Sequence, residues 1–312
     1  MTLTQLSAFV LVARLGSVKA AASALNVSEP AVSQAISALR QHLHDQLIVR
    51  RAGGMTLTPG GSRLLAVAAQ MVALGAEAEA AVRAARGAPE QLRLLCTSTI
   101  AEFVGTPLAD AFTRRAGGSV EVSSGVATVE EMPVLIANRL ADAAIGPAVA
   151  GTADLPVESE PIFRGQLVVV AAGHRRPTGQ PPWLVDPAGT ERGSDTFRLL
   201  RLLHVDESRI RVFPNQTAAW AAAADGAGLA PGYLHLVSHQ IQRGELVVVD
   251  TPATPMEVGW HLTTPLADRR SPAANSLRRF LRTPDAMQLM RFPGAGVPPS
   301  RFRPPVYVTI WS

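Results

Sequence analysis

The chain has 312 residues, enough for two or three domains with separate cores, and its 47% hydrophobic and 17% charged residues give a globular balance. Charges or prolines interrupt the apolar runs before about 18 residues, which argues against a membrane span, and a lone cysteine, Cys96, excludes an internal disulfide or a cysteine-rich metal cluster. The net charge of +4 sits wholly in residues 1–63, where Arg14, Lys19, Arg40, Arg50, Arg51 and Arg63 face only Glu29 and Asp45. A basic module on a neutral body is the electrostatic footprint of a nucleic-acid binder.

The start, MTLTQLSAFVLVARLG, has no basic n-region and no small-residue cleavage site, so a cytoplasmic protein is expected. Residues 4–14 set Leu6, Phe9, Val10 and Ala13 on one helical stripe, ended by Gly16. Ser17 suits the cap of an alanine-rich helix over 18–25. After Asn26-Val27, Ser28 is a second cap, and Pro30 fits a first helical turn, where amides lack partners anyway. A helix therefore runs from 29 to about 42, with Val32, Ala35, Ile36, Leu39 and Leu43 facing a core. Its other face carries Glu29, Pro30, Ser33, Gln34 and Ser37. Two short helices joined by a tight turn read as a helix-turn-helix. In RRAGGMTLTPGG, two apolar strands flank Gly53-Gly54, a hairpin that would be a wing. Residues 1–60 are thus one domain.

Residues 62–86 form a long alanine-rich run with Leu64, Leu65, Val67, Met71, Val72, Leu74 and Val82. A helix this long, apolar along more than one stripe, is expected to pair with a second copy, making 61–88 a linker and dimerisation helix. From 89 to 284 strands and helices alternate, which predicts a mostly parallel α/β architecture. The rhythm occurs twice, giving two subdomains with a crossover near 147–165 and a cleft between them.

The polar face of the second helix suits a major groove. Gln34 can bond an adenine edge, Ser28, Ser33 and Ser37 reach bases or phosphates, and Pro30 meets a thymine methyl. Arg50 and Arg51 on the wing would lie near phosphate or the minor groove. In the second half, Ser98 and Thr99 end the strand LRLLCTST before a helix, and Asn215, Gln216 and Thr217 do the same in the second subdomain. Helix N-termini present unpaired amides and partial positive charge, which suits carboxylates and other anions. The cleft otherwise reads as small and uncharged. Cys96 alternates with Leu92 and Leu94 and is expected to be buried and structural. His235 and His239 have i, i+4 spacing, but no further ligand accompanies them, so a helix surface rather than a metal site is expected. No cofactor motif is present: DGAGLAPG places its third glycine one position late for a dinucleotide fingerprint. The rival reading, a dehydratase-like enzyme of related α/β fold, lacks a nucleophile elbow, a P-loop and H-E-x-x-H.

Residues 1–285 resemble a LysR-type transcriptional regulator, through LTQLSAFVLVARLGSVKAAASALNVSEPAVSQAISALRQHL followed by RRAGGMTLTPGG. The resemblance implies a winged helix-turn-helix on double-stranded promoter DNA and a linker helix that makes a dimer or tetramer. It also implies an effector domain of two subdomains, resembling type 2 periplasmic-binding folds, with a small molecule between them. Ser98 and Thr99 would line that cleft, with Gly146 on the hinge side. Two residues depart from the family pattern: Glu29 stands where glutamine is usual and Ile48 where phenylalanine is. The first places an anion near DNA, where it can accept from a cytosine amino group. The proline-rich segment 285–312 has no counterpart in the family. It is expected to be mostly extended, with Tyr307, Ile310 and Trp311 docked on an effector domain.

Overall fold

Capping fixes the helices of the N-terminal module. In the computed structural model, which describes residues 1–51, 54–149, 155–174 and 179–293, Thr2 and Gln5 form a capping box at the start of α1 (Leu3–Leu15). Gly16 ends α1 in the left-handed conformation. The hydroxyls of Ser17 and Ser28 each accept the third amide of the helix that follows, α2 (Val18–Leu25) and α3 (Glu29–Leu43). Leu6, Phe9, Ala21, Ala22, Val32, Ile36 and Leu39 bury together between the three helices. Strands β1 (Ile48–Arg51) and β2 (Gly54–Leu57) pair antiparallel, and the turn at 52–53 lies outside the described residues. The Arg40 guanidinium donates to the Gln46 and Ile48 carbonyls at 2.7 and 2.6 Å, tying the end of α3 to this wing.

Helix α4 (Pro59–Ala85) leaves the wing with Gly61 so close to the Leu47 carbonyl that a Cβ would lie 2.1 Å from its oxygen. Ala68 and Val72 are buried on the α1 side, whereas Leu74 is 63% and Val82 54% exposed. By length and composition α4 is apolar enough to cross a membrane, although charges break its apolar run before 18 residues, as expected from the sequence. Only Glu77 and Glu79 carry charge between Leu64 and Val82, where leucine and valine supply more of the hydropathy than the many alanines.

The second half begins with β3 (Glu90–Cys96) and α5 (Ser98–Ile100), then a π-helical turn over Ala101–Gly105 and α6 (Thr106–Arg115). Strand β4 (Val120–Val126), α7 (Glu131–Ala137) and β5 (Ala143–Gly146) complete the first subdomain core. The long strand β6 (Val157–Ala172) carries the chain into the second subdomain. There follow β7 (Trp183–Val185), α8 (Asp195–Leu202), β8 (Ile210–Val212), α9 (Gln216–Ala224), β9 (Ala230–Tyr233), α10 (Leu234–Gln242) and β10 (Leu246–Val249). Strand β11 (Met256–Pro265) returns beside β6 and leads to α11 (Pro272–Phe280) and α12 (Pro284–Arg291). One sheet runs β10-β6-β11-β5-β3-β4, with β9 also on β6.

Among the described residues only β3 pairs in parallel in that sheet, with β4 and β5; β6, β9, β10 and β11 pair antiparallel. The mostly parallel sheet expected from the alternation is therefore corrected to a mixed one. The chain crosses out on β6 and back on its neighbour β11, so the two crossings necessarily run in opposite directions. The second half also touches α4: Arg139, just past α7, pairs with Glu77 at 2.9 Å.

The segment after 284 departs from its extended expectation. Thr283 caps α12, Pro284 occupies the first helical position, and Ala286 and Met290 are fully buried in the effector core. Proline starts this helix rather than blocking it, because its missing amide would be unpaired there anyway. Residues 294–312, with Tyr307, Ile310 and Trp311, lie outside the described residues. Since α12 is part of the core, Met290→Ala should lower stability by about 2–4 kcal/mol in urea denaturation. A change below about 0.5 kcal/mol would show that α12 is not packed as described.

Candidate functional site

Two places carry candidate chemistry. The first is the outer face of α3. Glu29, Pro30, Ser33, Gln34 and Ser37 are all exposed or half-buried, while Val32, Ile36 and Leu39 on the opposite side are buried. Among the described residues, no hydrogen bond within the chain engages the side chains of Ser33, Gln34 or Ser37. Ser28 is different: its hydroxyl accepts the Ala31 amide at 3.3 Å and is occupied as a cap. Glu29 stands at the first helical position, where the N-terminal partial charge favours a carboxylate. Arg50 is exposed at the wing, paired through its backbone with Met55, and Arg51 follows at the end of β1. Ile48 is buried beneath the wing, a packing position. Sequence reasoning missed Arg40 as the strut between α3 and the wing, because its partners are backbone carbonyls with no residue signature.

The second place is the cleft between the effector subdomains. Strand β3 ends at Cys96, and Thr97, in extended backbone, starts the helical segment, so Ser98 and Thr99 open a helix rather than close a strand. The Ser98 hydroxyl donates to Asp186 Oδ2 at 2.6 Å, across the cleft, and Thr99 is buried. Asn215 is the cap of α9, its Oδ1 accepting the Ala218 amide at 2.8 Å. The Gln216 side chain turns away into its own subdomain and donates to the Pro231 carbonyl at 3.1 Å. Gly146 packs at the end of β5, where a Cβ would meet the Met132 sulfur at 3.0 Å and the Thr97 methyl at 3.3 Å.

The cleft is acidic, not small and uncharged. Glu102, from the π-helical turn, accepts the Gln216 and Thr217 amides at 3.1 Å each, and the Thr217 hydroxyl as well. Asp186, at the end of β7, also accepts the Gly189 amide. Burial raises the carboxyl pKa of both Glu102 and Asp186, against the opposing pull of their hydrogen bonds. Glu191 nearby is pushed up to about 7, by burial first and then by the charges of Asp186, Glu131 and Glu130. Glu102 and Asp186 were not singled out from the sequence. Their signals are slight: an acid four residues beyond Ser98 in the apolar TIAEFVG, and an Asp-Pro after the apolar WLV.

Cys96 is buried and its thiol is raised to about 12, so it is a packed, unreactive group. His235 is not on a helix surface. Its ring lies 4.8 Å from Phe163 and 5.2 Å from Trp260, both ring nitrogens are buried without partners among the described residues, and burial depresses its pKa to about 4. The start of α10 faces the crossing strands, which is why His235 is enclosed while His239, one turn on, is exposed.

The fold and these two sites define a winged-helix module joined to a two-lobed binding domain. Residues 3–62 match the model of the bacterial regulatory helix-turn-helix proteins of the lysR family, and residues 85–284 match the LysR substrate binding domain. The chain is 35% identical, over the whole of both sequences, to the HTH-type transcriptional regulator Rv0377 of Mycobacterium tuberculosis. It is 28% identical to CfxR of Cupriavidus necator, covering 96% of this chain and 97% of that one. Among solved structures, full-length CbnR bound to its target DNA matches with a TM-score of 0.52 and 20% identity, over 90% of this chain and 99% of that one. A full-length variant of AphB matches with a TM-score of 0.57 and 18% identity, over 90% and 98%. The protein belongs to the LysR family of bacterial DNA-binding transcriptional regulators.

The acidic cleft generates a pH prediction. The Glu191 carboxyl holds its proton more tightly folded, near 7, than at its ordinary 4.5. Stability from this group is therefore full below about pH 4.5, falls as pH rises towards 7, and is flat above. Glu191→Gln removes that loss and should stabilise the protein by about 1–2 kcal/mol at pH 8, after discounting for residual solvent exposure, with no gain at pH 4. Denaturant midpoints at the two pH values check it.

Proposed function

We propose that α3 reads base edges in the major groove of promoter DNA through Ser33, Gln34 and Ser37, with Pro30 and Glu29 at its leading end. Ser28 sets the start of the reading helix, and Arg50 and Arg51 contact the backbone from the wing. The observation that carries this reading is the polar outer face of α3, free of internal partners and held rigid by a fully buried opposite face. The protein acts as a homo-oligomer. The α4 stripe of Val67, Met71, Leu74, Ala78 and Val82 repeats at helical spacing and is largely left in solvent, which supports pairing of α4 with a second copy. A small molecule held between the effector subdomains, near Ser98, Thr99, Gly146, Asn215 and Gln216, shifts the populations of assemblies that bind DNA differently. The protein works in the cytoplasm as a ligand-responsive binding protein rather than an enzyme.

Fluorescence anisotropy on the protein's own upstream intergenic DNA tests this. The double variant Ser33→Ala, Gln34→Ala should lose about ten- to a hundredfold in affinity for the target, with little change on unrelated DNA. Equal weak binding of both proteins to every sequence would overturn the base-reading role of α3. Glu29→Gln should keep the salt dependence and change the preferred bases at the outer half-site positions, read by competition with substituted operators.

A further inference from the structure

The start of α9 is a nine-residue helix's N-terminus aimed into the cleft, and it is already filled. Its first two amides and the Thr217 hydroxyl all donate to Glu102, which belongs to the opposite subdomain and is 4% exposed. A helix N-terminus receives a free carboxylate or phosphate through the same amides. Two independent contacts accompany Glu102. Asp186, 1% exposed, reaches the other way to the Ser98 hydroxyl, so each subdomain sends a carboxylate into its neighbour. Phe103, the next residue after Glu102, stacks on Trp220 of α9 with ring centroids 5.2 Å apart.

We propose that Glu102 is a tethered ligand of the effector cleft: it occupies the anion position at the start of α9, holds the subdomains together there, and excludes small carboxylates and phosphates from it. The inference rests on the reading of the cleft as the effector site and narrows the chemistry of that effector. A free anion has to displace Glu102, which would leave a buried carboxylate without donors beside Asp186. It also competes with a group whose effective concentration is fixed by the chain itself. An effector reaching this end of the cleft therefore presents a hydrogen-bond donor, hydroxyl or ammonium, to Glu102 and Asp186 rather than a negative group to α9.

Chemical rescue tests the assignment in the full-length protein. Wild type and Glu102→Ala are titrated with sodium acetate against sodium chloride at matched ionic strength, following tryptophan emission and melting temperature, with Trp220→Phe identifying the signal from α9. Wild type is expected to respond to acetate no more than to chloride. Glu102→Ala should melt lower, bind acetate saturably at least tenfold tighter than wild type, and recover the wild-type emission as it fills. Saturable acetate binding by wild type, comparable to that of the variant, overturns the proposal; so does a folded Glu102→Ala that ignores acetate. If Glu102→Ala does not fold, Glu102→Gln takes its place. It should shift Trp220 emission towards that of an opened cleft, and unchanged emission overturns the proposal. Anisotropy on DNA with the same proteins keeps the two readings apart. If no small molecule alters DNA affinity, the effector reading fails while the acetate result stands, whereas a failed rescue leaves DNA binding untouched.

Discussion

Backbone pairing between β6 and β11 is the constraint on which the effector half depends. The two strands run antiparallel from Met256 opposite Leu167 to Pro265 opposite Val157. β11 also binds β5 of the first subdomain, and β6 binds β9 and β10 of the second. The subdomains therefore share one hydrogen-bonded sheet and cannot separate without breaking it. The register shifts at the crossing, between Trp260 and His261, a bulge that bends and twists β6 there. The aromatic group of Phe163, Tyr233, His235 and Trp260 packs at this point, so the crossing is well filled. With the sheet joined there, the subdomain faces on either side of the crossing are left to meet through side chains alone, and Glu102, Asp186 and the Phe103–Trp220 stack make that meeting.

The N-terminal module solves a different problem, presenting polar side chains that bind nothing internally. Apolar burial on the inner face of α3 and the Ser28 cap supply its stability, so the outer face is released from any structural duty. Arg40 and the close approach of Gly61 to Leu47 then fix the wing and α4 relative to α3. The exposed polar residues of α3 thus sit on a regular element whose position is set by others.

The sequence made the N-terminal module legible because its determinants are local. Ser17, Ser28, Pro30 and the 3.6-residue stripe each act within one turn, and the structure places α2 and α3 within a residue of the expected bounds. The alternation of the effector half was equally visible, but strand direction was not, since pairing partners are far apart in the chain. The cleft was the least legible part. Asn215 and Ser98 were noticed as polar residues at helix starts, yet what they face, Ala218 within the helix and Asp186 across the cleft, depends on tertiary placement. Glu102 looked like any acid in an apolar stretch, because nothing near it in sequence shows that α9 lies opposite. His235 misled for the same reason: an i, i+4 histidine pair describes one helix face, not the aromatic wall that face meets.

Helix α7 gives the molecule a short electrical distance between its two halves. Glu131 at its start lies among the carboxylates that act on Glu191, and Arg139 just past its end holds Glu77 of the linker helix. Seven residues of α-helix span about 10 Å, roughly one Debye length at 0.1 M salt. Across that distance salt already screens a good part of the interaction, so a change of charge in the cleft reaches the linker ion pair weakly, and more strongly at low ionic strength. The binding lobe and the DNA-binding module also meet through apolar burial, since Met132, Leu135 and Ile136 of α7 belong to the same buried cluster as Leu6, Phe9 and Val12 of α1.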